Sequence, residues 1–353
     1  MSRVDHIAGC LLGCALGDAL GLPLENLPPR RIARLLGPER LTHRFLAGRG
    51  MVSDDTEHSC MLGQSLLATG GEPGALARDF SWRLRLWFAT LPAGIGFGTL
   101  RALLKLSVGI SPERSGVFSA GNGPAMRAPL LGACLAADRD GLLAACRAAT
   151  RITHTDPRAE EGARAVALAA RLGVLHGPLD PEAFFAEVLP AIPSGDIHGM
   201  LCAVRDSVAA GASPADFVAA QGWRGVSGFV VHTVPAALHC CLSHPTDPAA
   251  AIEAAVRLGG DTDTVAAIVG GVAGAACGQS SLPGDWLAGL VERPRDVAWM
   301  EALCARLAAR FPLGAPPVLA PPLAVRWWEI PPRNAFFLAV VLGHVFRRLF
   351  PPY

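Results

Sequence analysis

Long runs rich in Ala, Leu and Val alternate with short stretches of Gly, Pro and polar residues, and helix punctuation marks the boundaries. Residues 6–22 predict a helix in which Gly9, Gly13, Gly17 and Gly21 stand four apart. Residues 265–278 repeat the device with Gly270, Gly274 and Gly278. Glycine costs a helix stability, so a glycine stripe on one face points to close backbone approach by another helix or a ligand. Such ridges also occur in paired membrane helices, but Asp18 and the short apolar lengths argue against a membrane here. Thr155-Asp156-Pro157, followed by Glu160, reads as a helix start, with the helix running to about Gly173. Helices are also predicted near 75–89, 125–137, 140–150, 182–189, 198–210, 230–242, 248–258 and 297–310. Gly/Pro-rich connections join them, as at 91–98 and 191–196. No stretch shows the regularly spaced short strands of an all-β chain, so the expected fold class is all-α.

The pattern changes after Phe311. Seven prolines fall within 312–332, so 312–334 reads as a Pro-rich tether between a main body, 1–311, and an apolar C-terminal helical arm, 335–353. The arm's apolar helix, 335–350, has 16 residues and is short for a bilayer span. It reads as docking on its own domain or on a neighbouring subunit, with membrane association or another partner surface as alternatives.

Composition sharpens the picture. With 51% hydrophobic residues in 353, the chain has ample material for a large core and is not intrinsically disordered. Its 31 basic and 30 acidic residues leave no electrostatic footprint for nucleic acid or an anionic membrane. The ten cysteines include no C-x-x-C pair, which argues against structural zinc, and they lie mostly inside apolar runs. Together with an N-terminus that lacks a signal-peptide layout, this predicts a cytoplasmic protein with reduced, buried thiols. No run is long and apolar enough to predict a transmembrane segment.

Five constellations can carry chemistry. Ser53-Asp54-Asp55-Thr56 opens one helix, and Gly259-Gly260-Asp261-Thr262-Asp263-Thr264 opens another. Either alone also reads as a helix cap, because hydroxyls and acids complement a helix N-terminus. Together they supply four carboxylates and adjacent hydroxyls, an oxygen-rich set suited to hard divalent cations such as Mg²⁺ or Mn²⁺. Two such ions could activate water and orient substrate oxygens. The third constellation is Gly17-Asp18-Ala19-Leu20-Gly21 followed by Glu25, either an acid reaching into a cleft or a solvated acid at a helix end. The fourth, Gly121-Asn122-Gly123, exposes backbone N–H groups before a helix and suits an anionic or sugar ligand. The fifth is Thr153-His154-Thr155-Asp156, beside a helix start.

In order, G-x-x-x-G-D-A-x-G…E, S-D-D-T, G-N-G-x-x-M-R, T-H and G-G-D-T-D-T resemble the motifs of the ADP-ribosylglycohydrolase family over roughly residues 6–280. The resemblance implies a compact orthogonal helical bundle with a binuclear Mg²⁺ or Mn²⁺ centre at the bottom of an ADP-ribose cleft. It implies metal ligands at Ser53, Asp54, Asp55, Asp261, Asp263 and Thr264, with Ser53 standing where many members have Thr. Glu25 matches the acid beside the ribose, Gly121, Asn122 and Gly123 a loop around ADP-ribose, and His154 a histidine lining the cleft. Arginine-directed members carry an acid three residues before the Asn of G-N-G. Here Ser119 stands there and offers no charge to a guanidinium, which favours an O-linked or other acceptor.

The leading expectation is a hydrolase that cleaves ADP-ribose from a modified acceptor at ribose C1″. Glu25, Asp55 and Asp261 are its candidate catalytic acids, and two cations bind the ribose hydroxyls. A non-catalytic ADP-ribose-binding or partner-blocking regulator is the alternative. A metal-dependent phosphoester hydrolase is a third reading, against which the G-N-G loop and Glu25 argue.

Overall fold

A computed structural model describes residues 1–348 and 350; positions 349 and 351–353 of the predicted arm lie outside the described residues. Among the described residues all regular structure is helical, with isolated single-residue bridges and no strand. Eight helices place the site or its walls: α1 (Arg3–Gly21), α2 (Asp54–Thr69), α3 (Gly123–Cys134), α4 (Pro157–His176), α5 (Val230–Ser243), α6 (Thr262–Cys277), α7 (Val297–Arg310) and α8 (Ile330–Arg347).

The sequence reading started α1 at residue 6; the helix begins three residues earlier, where Ser2 Oγ accepts the Asp5 amide. Within Arg3–Leu24 an 18-residue window of mean hydropathy 1.7 passes the length and apolarity test for a membrane span, yet that window is buried inside the protein. What covers it is α6. A Cβ at Gly9, Gly13, Gly17 or Gly21 would fall on the backbone carbonyl of Gly274, Gly270, Ala266 or Thr262, respectively. The two glycine ridges are therefore one interface, in which absent side chains let two backbones touch. An obstructing backbone cannot swing aside as a side chain can. Gly270→Ala is expected to cost about 3 kcal/mol or more by overpacking, read as a lower denaturation midpoint. An unchanged midpoint would contradict backbone contact between α1 and α6.

Around this pair the apolar faces of α3, α4, α5 and α7 close one continuous core. The ten cysteines are free; eight are buried, while Cys202 and Cys277 are only half-buried. Burial pushes the Cys60, Cys134 and Cys146 thiols up to about 12, which leaves them unreactive.

Residues 312–326 run without regular structure but stay attached along the body. Leu323 exchanges two hydrogen bonds with Gln64, and the Trp299 indole N–H donates to Ala324 O. The arm helix begins at Ile330, earlier than residue 335. Pro331 and Pro332, read from sequence as tether, occupy its first turn, where a missing N–H costs nothing. The arm lies on its own body. Arg333 is buried against Glu292 and Val52 O, Phe337 stacks on Phe45 at 5.1 Å, and His344 Nε2 lies 2.6 Å from Phe45 O.

Candidate functional site

The two acidic motifs start α2 and α6, and the packing of α6 on α1 carries both to one end of the bundle. Ser53 caps α2: its Oγ accepts the Asp55 amide at 3.3 Å and donates to Asp55 Oδ2 at 3.1 Å. Thr264 Oγ1, from the first turn of α6, donates to the same Asp55 Oδ2 at 3.2 Å. That bond joins the two motifs across 209 residues.

The turn before α6 is held by neighbouring loops. The Gly260 amide donates to Leu27 O, the Asn26 amide to Gly260 O, and the Asp261 amide to Val226 O at 2.7 Å. Gly260 has φ +84°, and a Cβ there would strike the Val226 backbone, so only glycine serves. The staple brings Glu25 to the second motif. Carboxylate oxygens of Glu25, Asp261 and Asp263 lie within 4.8 Å of one another. The resemblance set Glu25 beside the ribose and outside the ligand set; the chain folds it in among the acids.

Asp18 is the buried organiser that the sequence reading left out of the site. It is fully buried and accepts from the Ser53 amide, the Thr56 amide and Thr56 Oγ1 at 2.6–3.1 Å. From α1 it plugs the N-terminus of α2, where backbone donors and the helix dipole favour an anion. Burial nevertheless raises its pKa to about 6. The signal was the one acid within the apolar, glycine-striped run 6–22.

Burial is also the main cause that pushes the Asp54, Asp55 and Asp263 carboxyls well above their ordinary range, followed by repulsion from neighbouring acids. Asp55 Oδ1 and Asp263 Oδ1 are buried with no hydrogen-bond partner. Buried carboxylate oxygens without donors are costly, and a bound cation would partner these two. An all-oxygen set of carboxylates and hydroxyls fits a hard divalent ion.

The opposite rim comes from the loop before α3 and from the residues before α4. Asn122 Nδ2 donates to Asp261 Oδ2 at 2.6 Å and to Thr233 Oγ1 at 3.0 Å, so the G-N-G turn is tied to the second acidic motif. The Asn122 amide donates to Gly228 O. His154 sits in a cradle of small residues: a Cβ on Gly98, Gly121 or Gly123 would stand 2.9–3.2 Å from its ring. Its Nδ1 lies 2.9 Å from Thr153 Oγ1, which accepts from the buried Arg127. Burial, then the Arg127 charge, lower His154 to about 3, so the ring works neutral. Ser119 lies on the same rim, its Oγ also within reach of the space above Gly98.

Together these elements enclose a cleft of about 710 Å³, within the range of small-molecule sites. Every site residue expected from the sequence lines it. Two features of its lining were not read from the sequence. Among the described lining residues Arg224 is the only Lys or Arg, and Phe337 and Val341 reach the cleft from α8.

A family model described as ADP-ribosylglycohydrolase matches residues 1–316. An uncharacterized protein of Archaeoglobus fulgidus is 33% identical over 86% of this chain and 96% of its own length. An ADP-ribosyl-dinitrogen-reductase glycohydrolase of Rhodospirillum rubrum is 29% identical over 81% of this chain and 90% of its own. The human ADP-ribosylhydrolase ARH3 is 26% identical over 66% and 73%. A solved structure titled ADP-ribosylglycohydrolase-related protein complex superimposes with a TM-score of 0.61 at 30% identity, covering 87% of this chain and 98% of that one.

Proposed function

The chain belongs to the ADP-ribosylglycohydrolase family and is a hydrolase; from that premise we propose that it cleaves ADP-ribose from an acceptor at ribose C1″, using two Mg²⁺ or Mn²⁺ ions held between the acidic motifs. The observation that carries this reading is the meeting of the motifs at Asp55, with the unpartnered Asp55 Oδ1 and Asp263 Oδ1 beside it. Ser53, Asp54, Asp55, Asp261, Asp263 and Thr264 would hold the ions, with Glu25 beside them. The ions supply Lewis acidity toward ribose hydroxyls and water.

The chain's own groups do the rest. Asn122 orients the Asp261 carboxylate. Glu25, Asp55 and Asp261 are the carboxylates that can take a proton from the attacking water and return one to the leaving acceptor atom as its bond to C1″ breaks. Burial, reinforced by Asp261, raises Glu25, which suits a group that must hold a proton part of the time. Gly121, Asn122, Gly123 and the neutral His154 form the opposite wall for ADP-ribose. Arg224 offers a countercharge on the lining for its diphosphate. The free thiols suit a reducing compartment, and we place the enzyme in the cytoplasm.

The test is ADP-ribose release from arginine-, serine- and nucleic-acid-linked substrates, with Mg²⁺, with Mn²⁺ and with chelator. Release that requires an added ion is expected. Because Ser119 brings no charge to a guanidinium, the arginine linkage should be cleaved more slowly than at least one O-linked substrate. Preferential cleavage of the arginine linkage would refute the specificity argument, and no release from any substrate with either ion would refute the hydrolytic assignment.

A further inference from the structure

Helix α8 lies beyond the residues that the family model matches, yet it forms part of the cleft. Phe337 is buried and Val341 half-buried, and both line the cavity. With Leu22 and Ala93, which line it too, they pack into one small apolar cluster around Phe45 and Met51. One side of an otherwise acidic and glycine-rich cleft is therefore smooth and apolar.

The position of this wall is fixed by the C-terminal end of α8. Arg348, just after α8, donates to Glu25 O at 2.9 Å and to Pro23 O at 2.8 Å, so the end of α8 is tied to the turn that presents Glu25. Glu25 belongs with Asp261 and Asp263, where the bond is cut. The G-N-G turn and His154 occupy the other rim. The arm thus flanks the Glu25 side of the acid cluster, where the proposed bond cleavage would take place.

We propose that α8 is the acceptor-side wall of the cleft, with Phe337 and Val341 limiting which ADP-ribosylated acceptors enter and favouring those with a slim, uncharged flank next to the linkage. This rests on the ADP-ribosyl hydrolase reading of the same cleft. Val341 is the position to vary, since it is only half-buried and its side chain is not in the acid cluster.

The experiment uses the full chain with Val341→Trp and Val341→Ala, each checked by melting. Two quantities are read: KM for a peptide carrying the linkage that the unmodified chain cleaves fastest, and Kd for free ADP-ribose by calorimetry. Val341→Trp should raise the peptide KM by about fivefold or more while the Kd for ADP-ribose changes by less than about twofold. Val341→Ala should lower the KM for a bulkier acceptor, again without moving that Kd, which keeps the test open if the Trp variant folds poorly. Equal shifts in KM and Kd would put the arm beside the nucleotide and overturn the proposal, as would no shift in either variant. If the unmodified chain neither binds nor releases ADP-ribose, the hydrolase reading itself falls, an outcome distinct from an active enzyme indifferent to Val341.

Discussion

Asp263→Asn should remove most hydrolysis, lowering turnover by on the order of 100-fold or more, since even outer partners of metal ligands cost 10–100-fold when lost. The substitution keeps the shape of the side chain and removes the charge from a buried oxygen that has no donor. It should also shrink the melting shift produced by Mg²⁺ or Mn²⁺. A cation at 100-fold excess over its Kd stabilises the parent by about 2.7 kcal/mol. Without cations the sign reverses. The folded-state pKa of Asp263 is raised above its unfolded value by burial, then by Glu25, Asp261 and Asp55. Such a group contributes stability below its ordinary pKa and loses it as pH rises through the folded value. Chelator-treated parent should thus melt lower as pH rises above about 4, Asp18 contributing up to its pKa of about 6. The Asn variant should show a shallower decline. If Asp263 were only a helix cap, Asn would serve about as well, and normal turnover with an unaltered ion-dependent melting shift would establish that.

Arg333→Ala should cost about 3–5 kcal/mol, the usual effect of stripping one partner from a buried ion pair. Arg333 donates to both oxygens of Glu292 at 2.8 Å and stands 3.9 Å from Glu57, and all three are buried. Glu57 keeps Arg295 and Trp87, but among the described residues Glu292 would retain only the backbone amides of Val52 and Arg293. Because Arg333 roots the arm, the variant should also loosen α8. The comparison is Arg333→Met with Glu292→Gln, which removes both charges and should recover much of the loss. Chemical denaturation of the single and double variants decides it. A single variant as stable as the parent would show that the arm is not anchored there. Removing 312–353 goes further, baring Phe45 and Met51 as well, and should lower solubility.

Helix positions were legible because their signals are local. The Asp156-Pro157 start of α4, the run of α7 and the glycine stripes of α1 and α6 each depend on residues a few positions apart. The start of α8 was misplaced by five residues. Pro-Pro reads equally as tether or as first turn, and only the docking of Ile330 and Arg333 on the body decides between them.

The sequence by itself determined the all-α class and the residue types of the site. Helix propensity, capping and the oxygen chemistry of Asp, Ser and Thr belong to short segments and individual side chains. The identity of the partner of each glycine stripe, the encounter of Asp55 with Thr264, the burial of Asp18 under Ser53, and the arrival of α8 beside Glu25 were decided only by the tertiary structure. Each joins residues far apart in the chain: 209 positions separate Asp55 from Thr264, and 323 separate Glu25 from Arg348. No local rule sets such distances. They follow from how the whole core closes when the backbones of α1 and α6 come into contact, and that contact carries both acidic motifs to the same end of the bundle.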